Sequence, residues 1–110
     1  MAKFEVYEAA LELVVVMRPV LARIAQHDRD MVSQLKRATS SVPANISEGN
    51  QRSGKDRLHL LRIAAGSAAE VRSHLAVAQA WGDIDAAAIA PALALLDRIV
   101  AMLWRLTHNR

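Results

Sequence analysis

The chain has no cysteine and few aromatic residues: one phenylalanine, one tyrosine and two tryptophans among 110 residues. The missing cysteine excludes a disulfide framework, a thiol nucleophile and a Cys-ligated metal, and it fits a reducing compartment. Glycine and proline are scarce as well, four and three, and no glycine-rich phosphate loop, dinucleotide fingerprint or nucleophile elbow is present. The amino terminus carries Glu5, Glu8 and Glu12 before any apolar core develops, which excludes a signal peptide. Apolar runs such as Leu13–Met17 are far too short to span a bilayer. The expected setting is therefore cytoplasmic, with no membrane partner.

What is present is aliphatic. Hydrophobic residues make up 53% of the chain, supplied mainly by Ala, Leu, Val and Ile, the composition of a helical bundle. A chain of this length reads as one domain, 1–110, large enough to bury a core without staples. The formal net charge is +3, and the surplus is uneven. Lys36 to Arg72 holds seven Lys/Arg against three Asp/Glu, whereas the first twelve residues hold three Glu against one Lys. A basic middle points to phosphate; a solvated helical face is the simpler reading on charge alone.

Apolar periodicity predicts four helices and no strand. The first spans about 4–26. Val6, Ala10, Leu13, Met17, Val20 and Ile24 form one set, and Phe4, Tyr7, Leu11, Val14, Leu21 and Ala25 a second, so this helix is expected to be buried on two sides, with Pro19 disturbing it. Asp28 or Asp30 caps the second helix, about 30–49, whose stripe of Met31, Leu35, Ala38, Val42 and Ile46 runs straight through Pro43. That proline removes the N–H that would serve the Thr39 carbonyl, and nearby Ser and Thr hydroxyls are expected to compensate. Gly49 is expected to cap the second helix, and Ser53 with Asp56 resembles a capping box.

The third helix, about 55–81, carries Leu58, Leu61, Ala65, Ala68, Leu75 and Ala78; Ala64, Gly66, Ala68 and Ala69 thin its middle for close approach of another helix. Asp83 or Asp85 caps the fourth, about 86–107, with Pro91 in or near its first turn and a stripe of Ile89, Leu93, Leu96, Val100, Leu103 and Leu106. Short connections imply an all-α, antiparallel up-down-up-down four-helix bundle with proline-disturbed first and second helices. The first and third helices look too apolar all round for a monomer, which predicts self-association.

Catalytic chemistry finds no foothold. The bundle di-iron pattern needs Glu-x-x-His on two helices and two further Glu; here Glu70 and His74 are four apart and the fourth helix has no Glu. No metal or cofactor is expected, and Ser40 and Ser41 have no evident base. The best binding feature is electrostatic. Lys55, His59 and Arg62 fall in one helical sector, Arg52 joins from the preceding loop, and Arg57 adds to the same segment. Such a face can contact phosphates with strong salt dependence. Asn45 and Glu48 share a face beside the apolar stripe; they either read a ligand or, the favoured reading, tie the second helix to a neighbour, Glu48 pairing with Arg37 or Arg72 and the Ser67/Glu70 pair offering the contact surface.

The stretch "LKRATSSVPANISEG", Leu35 to Gly49, resembles the signature of the small four-helix-bundle proteins encoded in bacterial 23S rRNA intervening sequences. Arg37, Ala38, Ser41, Val42, Pro43, Ala44, Asn45, Ile46, Glu48 and Gly49 carry the match, and "IAAGSAAE", with Gly66, Ser67 and Glu70, resembles that family's second block. Aromatic residues frequent in the family around 57–62 are replaced here by Arg57, Leu60 and Arg62. The resemblance implies a non-catalytic bundle assembling as a homopentameric ring. A similar branch serves diversity-generating retroelements, where a positively charged barrel associates with a reverse transcriptase and nucleic acid. Expected partners are thus the protein itself, RNA or DNA, and a reverse transcriptase or other protein. The alternative is a protein-interaction scaffold with no nucleic-acid role.

Overall fold

The structure, a computed structural model, describes residues 1–108; Asn109 and Arg110, the last two residues of the expected 1–110 domain, lie outside the described residues. It contains four helices: α1 (Ala2–Ile24), α2 (Arg29–Asn50), α3 (Gly54–Ala80) and α4 (Ala86–His108). Each packs on its neighbours in sequence, and α1 also packs on α4, closing an antiparallel up-down-up-down bundle in which α2 and α3 are the most closely packed pair. The 27 residues of α3 rise about 40 Å at ~1.5 Å each, close to the 43 Å long axis of the molecule, so the helices run lengthwise.

The core follows the expected stripes on α1 and α2, but on α3 and α4 the buried face is turned: of the expected residues Leu58, Ala65, Leu93 and Leu106 are only partly buried and Val100 is exposed. Val6, Ala10, Leu13, Met17, Val20 and Ile24 of α1 are buried together with Met31, Leu35, Ala38, Val42 and Ile46 of α2. Leu61, Ala64, Ala68, Val71, Leu75 and Ala78 of α3, and Ile89, Ala92, Leu96, Ile99 and Leu103 of α4, complete it. The expectation that α1 is buried on two sides does not hold within one chain. Its second apolar set lies at the edge of the core or outside it, with Phe4 53% and Leu11 43% exposed and the adjoining Val15 59% exposed. α4 has the length and composition of a membrane-crossing helix (window mean hydropathy 1.8), which a search for unbroken apolar runs overlooks; here its apolar stripe forms one wall of the core.

α1 and α2 each continue as α-helix through a proline. Pro19 is exposed, so water can serve the carbonyl it leaves unpaired. Pro43 is buried, and the expected compensation by neighbouring hydroxyls is not made by Ser41 or Thr39: Ser41 bonds across to α3, and the Thr39 hydroxyl is buried with no partner among the described residues. Pro91 stands beyond the first turn of α4, in its second, on the exposed side.

The caps divide. Asp28 caps α2, accepting from the Met31 N–H at 3.0 Å, and Asp85 accepts from the Ala88 N–H at 2.9 Å at the start of α4. Ser53 precedes α3 in extended conformation but makes no side-chain cap bond, so the expected capping box is absent. Gly49 is no cap either. It lies buried inside α2, where an added Cβ would meet the Leu61 side chain at 3.1 Å and Leu60 Cβ at 3.4 Å, so its smallness serves close approach of α2 to α3. The reverse applies to Gly66, expected to thin the α3 contact surface: it is exposed, with nothing within 4 Å of an added Cβ, and Ala64 and Ala68 supply the thin buried face instead.

Candidate nucleic-acid interface

One end of the bundle gathers the start of α1, the α2–α3 turn and the close of α4. The turn is only Gln51–Ser53, held by Gln51 N–H to the Glu48 carbonyl (3.1 Å) and Arg52 N–H to the Gly49 carbonyl (3.0 Å). Gly54 follows at φ +60°, a left-handed conformation in which glycine carries no steric penalty. The Asn50 side-chain amide donates to the Lys3 carbonyl at 3.0 Å and pins the turn to the first residues of α1.

The sequence-predicted cations meet here. Lys55, His59 and Arg62 recur at four and three residues along α3 and are exposed, while Arg57 is half-buried. Lys55, Arg57 and Arg62 are in no ion pair with a described residue; Arg52 is, bonding Glu48 at 3.3 Å. Cations in the first turn of a helix face its positive dipole end. Asp56, also in that turn, offsets this in part, and an anion would relieve the rest.

The motif residues around Pro43 build a fastener rather than part of this surface. The Asn45 amide donates to the Ser41 carbonyl and to the Ser41 hydroxyl, both at 2.9 Å, and the Ser41 hydroxyl lies 2.8 Å from that of Ser67 on α3. Ser67 is buried, so this contact satisfies polar groups inside the α2–α3 seam. The expected partners of the two carboxylates are wrong. Glu48 pairs with Arg52, not Arg37 or Arg72; Arg72 pairs with Asp97 of α4, and Arg37 is exposed on α2. Glu70 turns to His74 at 3.2 Å and takes no part in the seam. Long exposed side chains choose among several partners of nearly equal energy, which helical spacing alone does not rank.

The sequence reading missed the aromatics at this end. Trp104, on α4, is 59% exposed and stacks on His108 with ring centroids 4.3 Å apart and planes 8° from parallel. The Lys3 ammonium lies 5.3 Å from the Phe4 ring centroid. The available signal was Trp104 falling off the Ile89–Leu106 stripe, four residues before a histidine.

Residues 2–105 match the model of the 23S rRNA-intervening sequence protein family. The chain belongs to that family. Its bundle is similar to the crystal structure of a protein of unknown function from the S23 ribosomal protein family of Bacteroides thetaiotaomicron VPI-5482, at TM-score 0.86 and 21% identity over 94% of this chain and 99% of that one. At that identity the likeness establishes the fold. No curated protein matches the chain. For this member of the 23S rRNA-intervening sequence protein family, the seam motif from Ser41 to Gly49 is thus a device for joining α2 to α3.

Proposed function

We propose that this protein is a non-enzymatic, self-associating helical bundle of the cytoplasm that binds nucleic acid, RNA foremost, through the cationic end formed by Arg52, Lys55, Arg57, His59 and Arg62. The observation that carries the reading is the set of exposed or half-exposed cations at the head of α3, Lys55, Arg57 and Arg62, that pair with no described carboxylate. The family's association with 23S rRNA intervening sequences supports the choice of RNA. Phosphate contacts of this kind release counterions, so affinity falls steeply as salt rises. Titration of structured RNA at several salt concentrations tests it. Binding at low salt that collapses in Lys55→Glu/Arg62→Glu supports the reading; no binding at low salt, or binding indifferent to the reversal, overturns it.

Self-association rests on a second observation. Phe4, Leu11 and Val15 of α1 and Ile63 and Val77 of α3 are exposed apolar residues on opposite corners of one bundle. An apolar groove of about 400 Å³ between α1 and α2, lined in part by Val14, Met17, Leu21 and Val32, adjoins the first set. Two unlike surfaces on one chain favour head-to-tail contacts, which close into rings, and a pentamer is the stoichiometry the family resemblance implies. A monomer in sedimentation at micromolar concentration would contradict this. The same apolar faces support the alternative, a scaffold for a reverse transcriptase or other protein, which predicts a partner retained after nuclease treatment.

A further inference from the structure

Trp104 is a large aromatic side chain left in solvent at the end of the bundle where the cations collect. The Arg72–Asp97 ion pair sets the level of α4 against α3. From there α4 runs seven residues on to Trp104 while antiparallel α3 runs seven residues back to Ala65. Trp104 and His108, one turn apart, therefore span the stretch of bundle that contains Arg62, with His59 and Lys55 following toward the α2–α3 turn. Arg105 is exposed beside Trp104 in sequence.

The indole is not a loose side chain. His108 lies flat against it, and its Nδ1 is 3.0 Å from the Trp104 carbonyl. Nδ1 is also 3.0 Å from the Thr107 hydroxyl, so it has a partner in either tautomer: protonated it donates to the carbonyl, unprotonated it accepts from the hydroxyl, and the ring is held. An aromatic surface held in place before binding loses little freedom when a flat ligand lands on it. Nucleobases are such ligands, and a stacking surface beside cations that follow the backbone is how unpaired strands are held without sequence preference.

We infer that the Trp104–His108 pair is a stacking platform for an unpaired nucleobase, so that the cationic end takes single-stranded segments of nucleic acid in preference to continuous duplex. This rests on the nucleic-acid reading above and names the form of ligand. Full-length protein carrying Trp81→Phe, which leaves Trp104 the sole tryptophan, is titrated with single-stranded oligoadenylate and with the oligoadenylate–oligouridylate duplex. The single strand quenches Trp104 emission. Trp104→Ala weakens single-strand binding by about tenfold or more, leaves duplex binding within twofold and keeps the salt dependence, because stacking releases no counterions. Trp104→Phe retains most of the affinity, and unchanged helical circular dichroism shows that each variant folds.

Equal binding of the single strand by Trp104→Ala and the parent would overturn the platform while leaving the phosphate reading intact. A parent that binds neither strand nor duplex overturns both. A Trp104→Ala protein that changes its sedimentation and not its single-strand affinity assigns the indole to a contact between copies instead.

Discussion

The two ends of this bundle are built from opposite chemistry. At the end holding the α1–α2 and α3–α4 turns, carboxylates are consumed by helix starts: Asp28 serves α2 and Asp85 serves α4. There α3 stops in a Schellman arrangement, with Gly82 at φ +81° and the Gly82 and Asp83 N–H groups bonded to the Gln79 and Ala78 carbonyls at 2.9 and 3.0 Å. At the other end α3 begins with no side-chain cap, and Lys55 and Arg57 flank Asp56 in the turn where a carboxylate is favoured. At one end two carboxylates each bond the backbone of a helix start; at the other Lys55 and Arg57 pair with no described carboxylate. The contrast teaches that two helix starts in one bundle can differ in whether a side chain caps them.

The largest effect that would break this comparison is reversal of charge at the open end. Lys55→Glu/Arg62→Glu is expected to lower RNA affinity by more than tenfold at low salt and to reduce the logarithmic salt slope by about two. Arg29→Glu, at the capped end, is expected to leave binding within twofold; equal losses would erase the distinction between ends. Next come the caps. Asp28→Ala and Asp85→Ala should each cost about 0.5–2 kcal/mol in urea unfolding, whereas Ser53→Ala should change stability by no more than a few tenths, since its hydroxyl makes no cap bond. Gly82→Ala should lose about 1–2 kcal/mol because an alanine must take up the left-handed conformation. The smallest effect sharpens the picture at the open end. Glu48→Gln removes an exposed pair worth roughly 0.2–1 kcal/mol and frees Arg52, so stability should barely move while RNA binding rises.

Much of the architecture was legible because helical periodicity is local. The four predicted spans fall within two residues of the observed ones at every boundary, and the stripe through Pro43 held because its removed N–H did not move Val42 or Ile46 off the buried face. What was not legible depends on a second element. Gly49 reads as a cap until Leu61 is seen at 3.1 Å from where its Cβ would be. Gly66 reads as a contact residue until it is found in the open. Ser53 has the right identity for a cap, but its bond depends on a side-chain geometry that residue type does not fix. Of the site, the Lys55–His59–Arg62 face followed from spacing on one helix; Trp104 did not, because the level it reaches along α3 depends on how α4 packs there.

The closing of the bundle by α4 has a bearing on how the protein is made. α1 and α3 both pack on α4, and α4 is the last of the four to leave the ribosome. Without α4 the core residues of α1 and α3 lack one of their covering walls, Leu13, Leu61 and Leu75 among them. Chaperones and other nascent chains compete for such a surface. A ribosome stalled before Ala86 would therefore release an adhesive fragment, not a smaller bundle, and the speed at which the final helix is translated becomes part of the yield of native protein.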